Sequence, residues 1–217
     1  MIIESIFGYL DFKLLWTIAK ISSSPECVLA AKKIGRLPIF DLRVLRTFPS
    51  AGNGGAANFR KGDSSGGKAI KFRCFITKDN ASQFPHLVKF INELQSKEVY
   101  ENISKMINKD LSNSYVRVEV ICDREGFWLK PHCDIKEKLM SGLIFVNNTN
   151  ESEDLGTDFY NEKLEKVKTV PYKHNYGYLF TSGPNTWHGM EKKKIIKERR
   201  CIQVNYVTFE TDWKVNN

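Results

Sequence analysis

The stretch PHCD, residues 131–134, sets a histidine and an aspartate one residue apart, just behind a proline. On an extended strand, residues i and i+2 point the same way. His132 and Asp134 would therefore bring an imidazole and a carboxylate to one point, which makes two ligands for a metal ion. A third must come from elsewhere. The chain has 4 histidines, at positions 86, 132, 174 and 188. His188 stands in SGPNTWHGM, a turn between two strand candidates, with an aromatic before it and a glycine after it. His86 belongs to a helical pattern with no partner histidine or carboxylate at metal spacing, and His174, in YKHNYG, reads as a loop histidine. Two histidines and one carboxylate occupy one face of an octahedron and leave three positions open; this donor set suits non-heme Fe(II) oxygen chemistry. Taken alone, the H-x-D pair reads equally well as the polar end of a strand.

Such a site needs a rigid frame, and the hydrophobic periodicity supplies one. Helical pieces fill residues 1–34, broken near SSSP, and DLRVLRTF at 41–48 is a strand candidate. PSAGNGGAANFRKGDSSGGK at 49–68 is a long loop rich in Gly, Ser and Asn, of the kind that serves as a lid or binding loop. Within it, GDSSGGKA (62–69) approaches the phosphate-binding pattern G-x-x-x-x-G-K-[ST]. Ala69 lacks the magnesium-binding hydroxyl, however, and IKFRCFIT after it alternates like a strand where that pattern needs a helix. From 83 to 110 the period becomes helical: Phe84, Leu87, Val88, Ile91 and Leu94 make one apolar face, then Val99, Ile103 and Ile107 make another. After 115 come short strand candidates separated by turn residues: YVRVEVIC (115–122), GLIFVNN (142–148), VKTVPY (167–172), YGYLFTS (176–182) and RRCIQVNYVTF (199–209). Many short strands at regular spacing predict a sandwich or barrel.

The chain has 217 residues, 41% of them hydrophobic, enough for one sizeable core and so for a single domain. Lys and Arg number 33 against 25 Asp and Glu, a net charge of +8. The charges are spread, with EKKKIIKERR (191–200) the densest run, as on a solvated basic surface. Together with the 49–68 loop, this charge suggests an acidic or polymeric substrate held under a lid. The 5 cysteines form no C-x-x-C pair, which argues against a disulfide framework or structural zinc and fits reduced thiols in the cytoplasm. The apolar start MIIESIFGYLDFKLLWTIAKI carries Glu4, Asp11 and Lys13, so it reads neither as a signal peptide nor as a membrane span.

Region 116–208 resembles the 2-oxoglutarate- and Fe(II)-dependent oxygenase superfamily, in particular its prolyl-4-hydroxylase-like branch. The ordered set GFWLKPHCD, LMSGLIFVN, LGTDFY, VPYKHNYGYLFTSGPNTWHGM and RRCIQVNY carries the resemblance. It implies a double-stranded β-helix, a cupin-like jelly roll over 114–210, packed against a mostly helical N-terminal support at 1–113. It implies Fe(II) held by His132, Asp134 and His188, and 2-oxoglutarate as cosubstrate, with room for ascorbate as a reductant. It further implies a dioxygenase that hydroxylates an unactivated C–H and releases succinate and CO2. The substrate (small molecule, sugar or peptidyl residue) stays open. The family pattern R-x-[SA]-[LI] puts the cosubstrate-anchoring arginine at Arg199 rather than Arg200. Strand alternation agrees, since Arg199, Cys201, Gln203 and Asn205 share a polar face and Arg200, Ile202, Val204 and Tyr206 share an apolar one. A guanidinium fork matches a carboxylate bidentately.

The chain departs from the family pattern in two places. Cys122 stands where relatives often carry a Tyr about ten residues before the metal histidine, and Phe145 where a Tyr often reaches the cosubstrate carboxylate. Two other readings compete: a cupin-like barrel that binds a metal or ligand without catalysis, and a nucleic-acid-directed oxygenase suggested by the basic charge. Neither a nucleic-acid-binding motif nor a stacked-aromatic pattern supports the second.

Overall fold

In the computed structural model, residues 71–147 and 149–216 are described. The helical pieces at 1–34, the strand candidate at 41–48 and the loop at 49–68, with its GDSSGGKA segment, lie outside them. Among the described residues two sheets face each other. The larger, six-stranded sheet comprises β1 (Lys71–Phe75), β2 (Tyr115–Asp123), β4 (Lys138–Phe145), β7 (Tyr176–Thr181), β9 (Arg199–Val207) and β10 (Trp213–Lys214). Its strand order is β1-β2-β9-β4-β7, with β10 also paired to β2. The four-stranded sheet, β3-β8-β5-β6, comprises β3 (Leu129–His132), β5 (Thr157–Tyr160), β6 (Lys166–Val170) and β8 (His188–Met190). The chain crosses repeatedly between the sheets, every strand pairing among the described residues is antiparallel, and the result is a double-stranded β-helix.

Alternation along the large sheet explains its two faces. On β2 and β9, Val116, Val118, Val120, Val204 and Tyr206 turn outward, toward α1 (Pro85–Gln95) and α2 (Lys97–Ile107). The helices answer with Leu87, Phe90, Ile91, Leu94, Tyr100 and Ile103, all buried. Phe90 and Tyr100 complete stripes that the sequence pattern had placed on their neighbours. Burying side chains of this size contributes about 1.5–3 kcal/mol each. The Tyr206 hydroxyl also donates to the Leu94 carbonyl at 2.6 Å, tying α1 to the strand beneath it. α2 ends where Asn108 adopts a left-handed conformation at φ 50°, a position that Asn tolerates better than most residues.

The inner face packs a second core between the sheets, with Ile121, Phe145, Phe159, Tyr172, Tyr178, Phe180 and Cys201 among its members. Gly156 is required at the rim of this core: a Cβ there would lie 1.5 Å from the Val170 carbonyl oxygen. The four cysteines among the described residues are free thiols, and no described helix is long and apolar enough to cross a membrane.

Candidate metal centre

β3 and β8 pair with His132 directly opposite His188, and their rings stand 4.4 Å apart, centroid to centroid. Both strands are short. Gly189 lets them approach, since a Cβ there would meet the Leu129 carbonyl oxygen at 2.6 Å. His188 lies in a strand, not in the turn expected from its neighbours, and β3 ends at His132. Asp134 therefore reaches the site from the turn after β3 instead of by alternation along a strand. The three residues still offer ligand atoms that all lie within 4.8 Å of one another. His86 sits on α1, and exposed His174 sits in the turn before β7.

The donors are oriented for a cation. His132 Nδ1 lies 3.0 Å from the Lys130 carbonyl and His188 Nδ1 lies 2.9 Å from the Thr186 carbonyl. A carbonyl oxygen only accepts, so each Nδ1 carries the proton and the lone pair resides on Nε2. Burial, reinforced by His132 alongside, pushes the His188 imidazole down to about 4, and burial lowers His132 as well. Both rings are thus neutral at neutral pH, the form that binds metal. Burial alone would raise the Asp134 carboxyl. The Lys138 ammonium, helped by His188 and by hydrogen bonds from Lys138 and Ser141, outweighs it and holds the group at about 2.

Lys138 Nζ bonds Asp134 Oδ1 at 2.5 Å and Ser141 Oγ donates to Oδ2 at 2.5 Å. The ammonium occupies the carboxylate as a small cation would, so a metal ion must compete with it. Lys138→Met is expected to tighten Mn(II) binding by about threefold to tenfold, a gain of up to about 1.4 kcal/mol. Calorimetric titration of both proteins with Mn(II) checks this, and weaker binding by the variant would show that Lys138 serves instead to hold Asp134 in place.

At the opposite end of the inner face, β9 places Arg199 inward and Arg200 outward. Arg200 pairs with Glu198, and the Cys122 thiol approaches Glu198 on the same outer side. Arg199 is 4% exposed. Its guanidinium lies 5.4 Å from the Phe145 ring and 5.8 Å from the Tyr172 ring. The fork is already partly engaged: Nε donates to the Leu155 carbonyl at 2.5 Å and Nη1 to Asp123 Oδ2 at 2.7 Å. Nη2 has no hydrogen-bond partner among the described residues. An incoming carboxylate thus meets one open N–H edge unless Asp123 gives way. Asp123, not Cys122, is the β2 residue that faces inward here, and Phe145 lies beneath the guanidinium without a hydroxyl to offer. Tyr178, across from Leu143 on β7, also turns a hydroxyl to this inner face and donates it to Thr157 Oγ1 at 2.8 Å. Neither Asp123 nor Tyr178 stood out in the sequence; the inward phase of β2 and β7 was the signal for both.

No family model and no curated protein sequence matches the chain. Among solved structures it is similar to a prolyl-4-hydroxylase of Pseudomonas putida. That match has 13% identity and a TM-score of 0.51 and covers 68% of this chain and 78% of that one. It is also similar to a prolyl hydroxylase of Trichoplax adhaerens solved in complex with a hypoxia inducible factor oxygen degradation domain peptide fragment. Here the identity is 16% and the TM-score 0.53, over 93% of this chain and 94% of that one. At such identities the likeness is one of fold, the double-stranded β-helix.

Proposed function

We propose that the chain is a 2-oxoglutarate- and Fe(II)-dependent oxygenase that hydroxylates an unactivated C–H bond. The observation that carries this reading is the convergence of His132, Asp134 and His188 at one end of an inner face whose other end holds Arg199. Two neutral imidazoles and one carboxylate are a donor set that fits Fe(II) and leaves positions for exchangeable ligands. Bound there with 2-oxoglutarate, the metal would supply O2 activation coupled to decarboxylation of the cosubstrate to succinate and CO2.

The chain's own residues supply the rest. His132 and His188 present Nε2, each held by its Nδ1–H bond to a carbonyl, and Asp134 is kept ionised. Arg199 Nη2 receives the distal carboxylate of the cosubstrate. Phe145, Phe159, Tyr172 and Phe180 wall the space between, exclude water and strengthen the charge interactions within it. Tyr178 lies between the two ends, packed against Phe145 and Phe180 with its hydroxyl bonded to Thr157.

Anaerobic titration with Fe(II) and then 2-oxoglutarate, followed by the visible metal-to-ligand charge-transfer band, tests the reading. The band is expected in the wild type. Arg199→Met should raise the 2-oxoglutarate dissociation constant by roughly 10- to 100-fold, the value of a charged hydrogen bond of about 1.5–3 kcal/mol. Metal binding without a band would replace the oxygenase with a ligand-binding, cupin-like barrel. Succinate formation, with and without ascorbate, completes the assay.

A further inference from the structure

The inner face of the large sheet carries more positive charge than the proposed reaction uses. Lys71, Arg73, Arg117 and Arg199 lie on it, against Glu119 and Asp123. Glu119 is fully buried and is held by Arg73 through two bonds, Nε to Oε2 at 2.5 Å and Nη2 to Oε1 at 2.6 Å. Lys71 and Arg199 share Asp123 at the far end, where the cosubstrate's distal carboxylate would be received. Arg117 remains: it makes no close ion pair among the described residues, and Glu119 and Asp134 act on it only at longer range.

Arg117 sits at the metal end. The cross-strand register aligns Arg117, Asn205 and Ser141 in one row across β2, β9 and β4. Hydrogen bonds run along that row: Arg117 Nη2 donates to Asn205 Oδ1 at 3.0 Å, Asn205 Nδ2 to Ser141 Oγ at 2.9 Å, and Ser141 Oγ to Asp134. The guanidinium is clamped between two rings, with Phe75 and Phe209 each 5.4 Å from it. Its Nε is buried and has no hydrogen-bond partner. A fixed, aromatic-clamped fork with an unused donor, set beside a metal centre, is built to receive an oxyanion.

We propose that Arg117 is the substrate-anchoring residue of this site, and that the substrate is a compact carboxylic acid whose carboxylate Arg117 holds. This rests on the oxygenase reading above. β2 and β4 are two strand spacings apart, about 10 Å, so the span from Arg117 to the row end at Ser141 suits a molecule of amino-acid size or the C-terminal residue of a peptide. A carbon a few bonds from the carboxylate would then lie over the metal. Arg73 is a poorer candidate, since its Nε and Nη2 edge is spent on Glu119, and Asn205 orients Arg117 rather than neutralising it.

The test is nuclear magnetic resonance of the arginine Nε–H groups in the full chain loaded with Zn(II) and 2-oxoglutarate, with the Arg117 signal assigned by its loss in Arg117→Lys. Sodium acetate is the probe, and sodium chloride at equal ionic strength is the control. The expected result is a saturable downfield shift of the Arg117 signal with acetate and not with chloride, while the Arg73 signal stays in place. An unmoved Arg117 signal overturns the proposal, as does a shift with inorganic phosphate but not with acetate, which would assign the fork to a phosphoryl group. These outcomes are read separately from the Fe(II)–2-oxoglutarate band. Loss of the band sinks the oxygenase reading, while a band with a silent Arg117 sinks only the anchor.

Discussion

His188→Ala is expected to abolish the charge-transfer band and to weaken Fe(II) binding by at least about 100-fold. Losing a residue that merely supports a metal-binding histidine typically costs 10–100-fold, so losing a ligand itself should cost at least the upper end of that range. The substitution removes one of the three candidate donors and half of the histidine pair that faces across β3 and β8. The imidazole also packs against Phe180 at 4.9 Å and Phe159 at 6.2 Å between centroids, so the variant loses some packing. A folding control is therefore part of the measurement. Far-ultraviolet circular dichroism should remain close to the wild type while calorimetry finds the metal affinity gone. A variant that kept both band and affinity would remove His188 from the site.

Arg73→Met should destabilise the fold by about 3 kcal/mol at neutral pH, the lower end of the cost of breaking a buried ion pair. The lower end applies because Arg117 and Lys71 also act on Glu119. Burial by itself would raise the Glu119 carboxyl, but the Arg73 guanidinium overrides it and holds the group below the ordinary carboxylate range. A carboxyl depressed in the folded state contributes stability above its unfolded value, near 4.3, and loses it as the pH falls through the folded value. In the variant the same group is buried without its bidentate partner and resists ionising, so its cost is incurred as the pH rises. The gap between the two proteins is therefore full at neutral pH and narrows as the pH drops through about 4.3. Urea unfolding at pH 7 and pH 4 reads the difference, and a gap that widened toward acid would contradict this account.

Much of the frame was legible because its two faces differ chemically. YVRVEVICD and RRCIQVNYV alternate between an apolar outer side and a polar inner side, so their strands and the inward phase of Arg199 could be read directly. The helices showed their stripes for the same reason. β5 is missing from the strand candidates, since TDFY is buried at all four positions and alternates nothing. β4 begins at Lys138, earlier than its hydrophobic run suggests, because Lys138 is spent on Asp134 and looks like loop polarity. The spacing of His132 and Asp134 pointed to the site by a geometry the protein does not use: the strand stops, and a turn delivers the carboxylate. Asp123 escaped notice because only cross-strand register sets it opposite Arg199. Arg117 is one more alternating polar residue of its strand in the sequence, and only the fold brings Asn205, Phe75 and Phe209 around it.

The register that sets His132 against His188 joins strands of four and three residues, with an irregularity in their pairing. So short a ladder holds few backbone bonds, and a slip of one residue would turn both imidazoles away. An ion bound across it would act as a clasp: binding only the correct register, it would stabilise that register by its own binding free energy. Hydrogen exchange at the amides of Leu129–His132 and His188–Met190 should slow on metal loading far more than exchange in the large sheet. With such an ion bound, the small sheet would be a lattice finished by the ligand it holds, and losing that ion would loosen the small sheet before the large one.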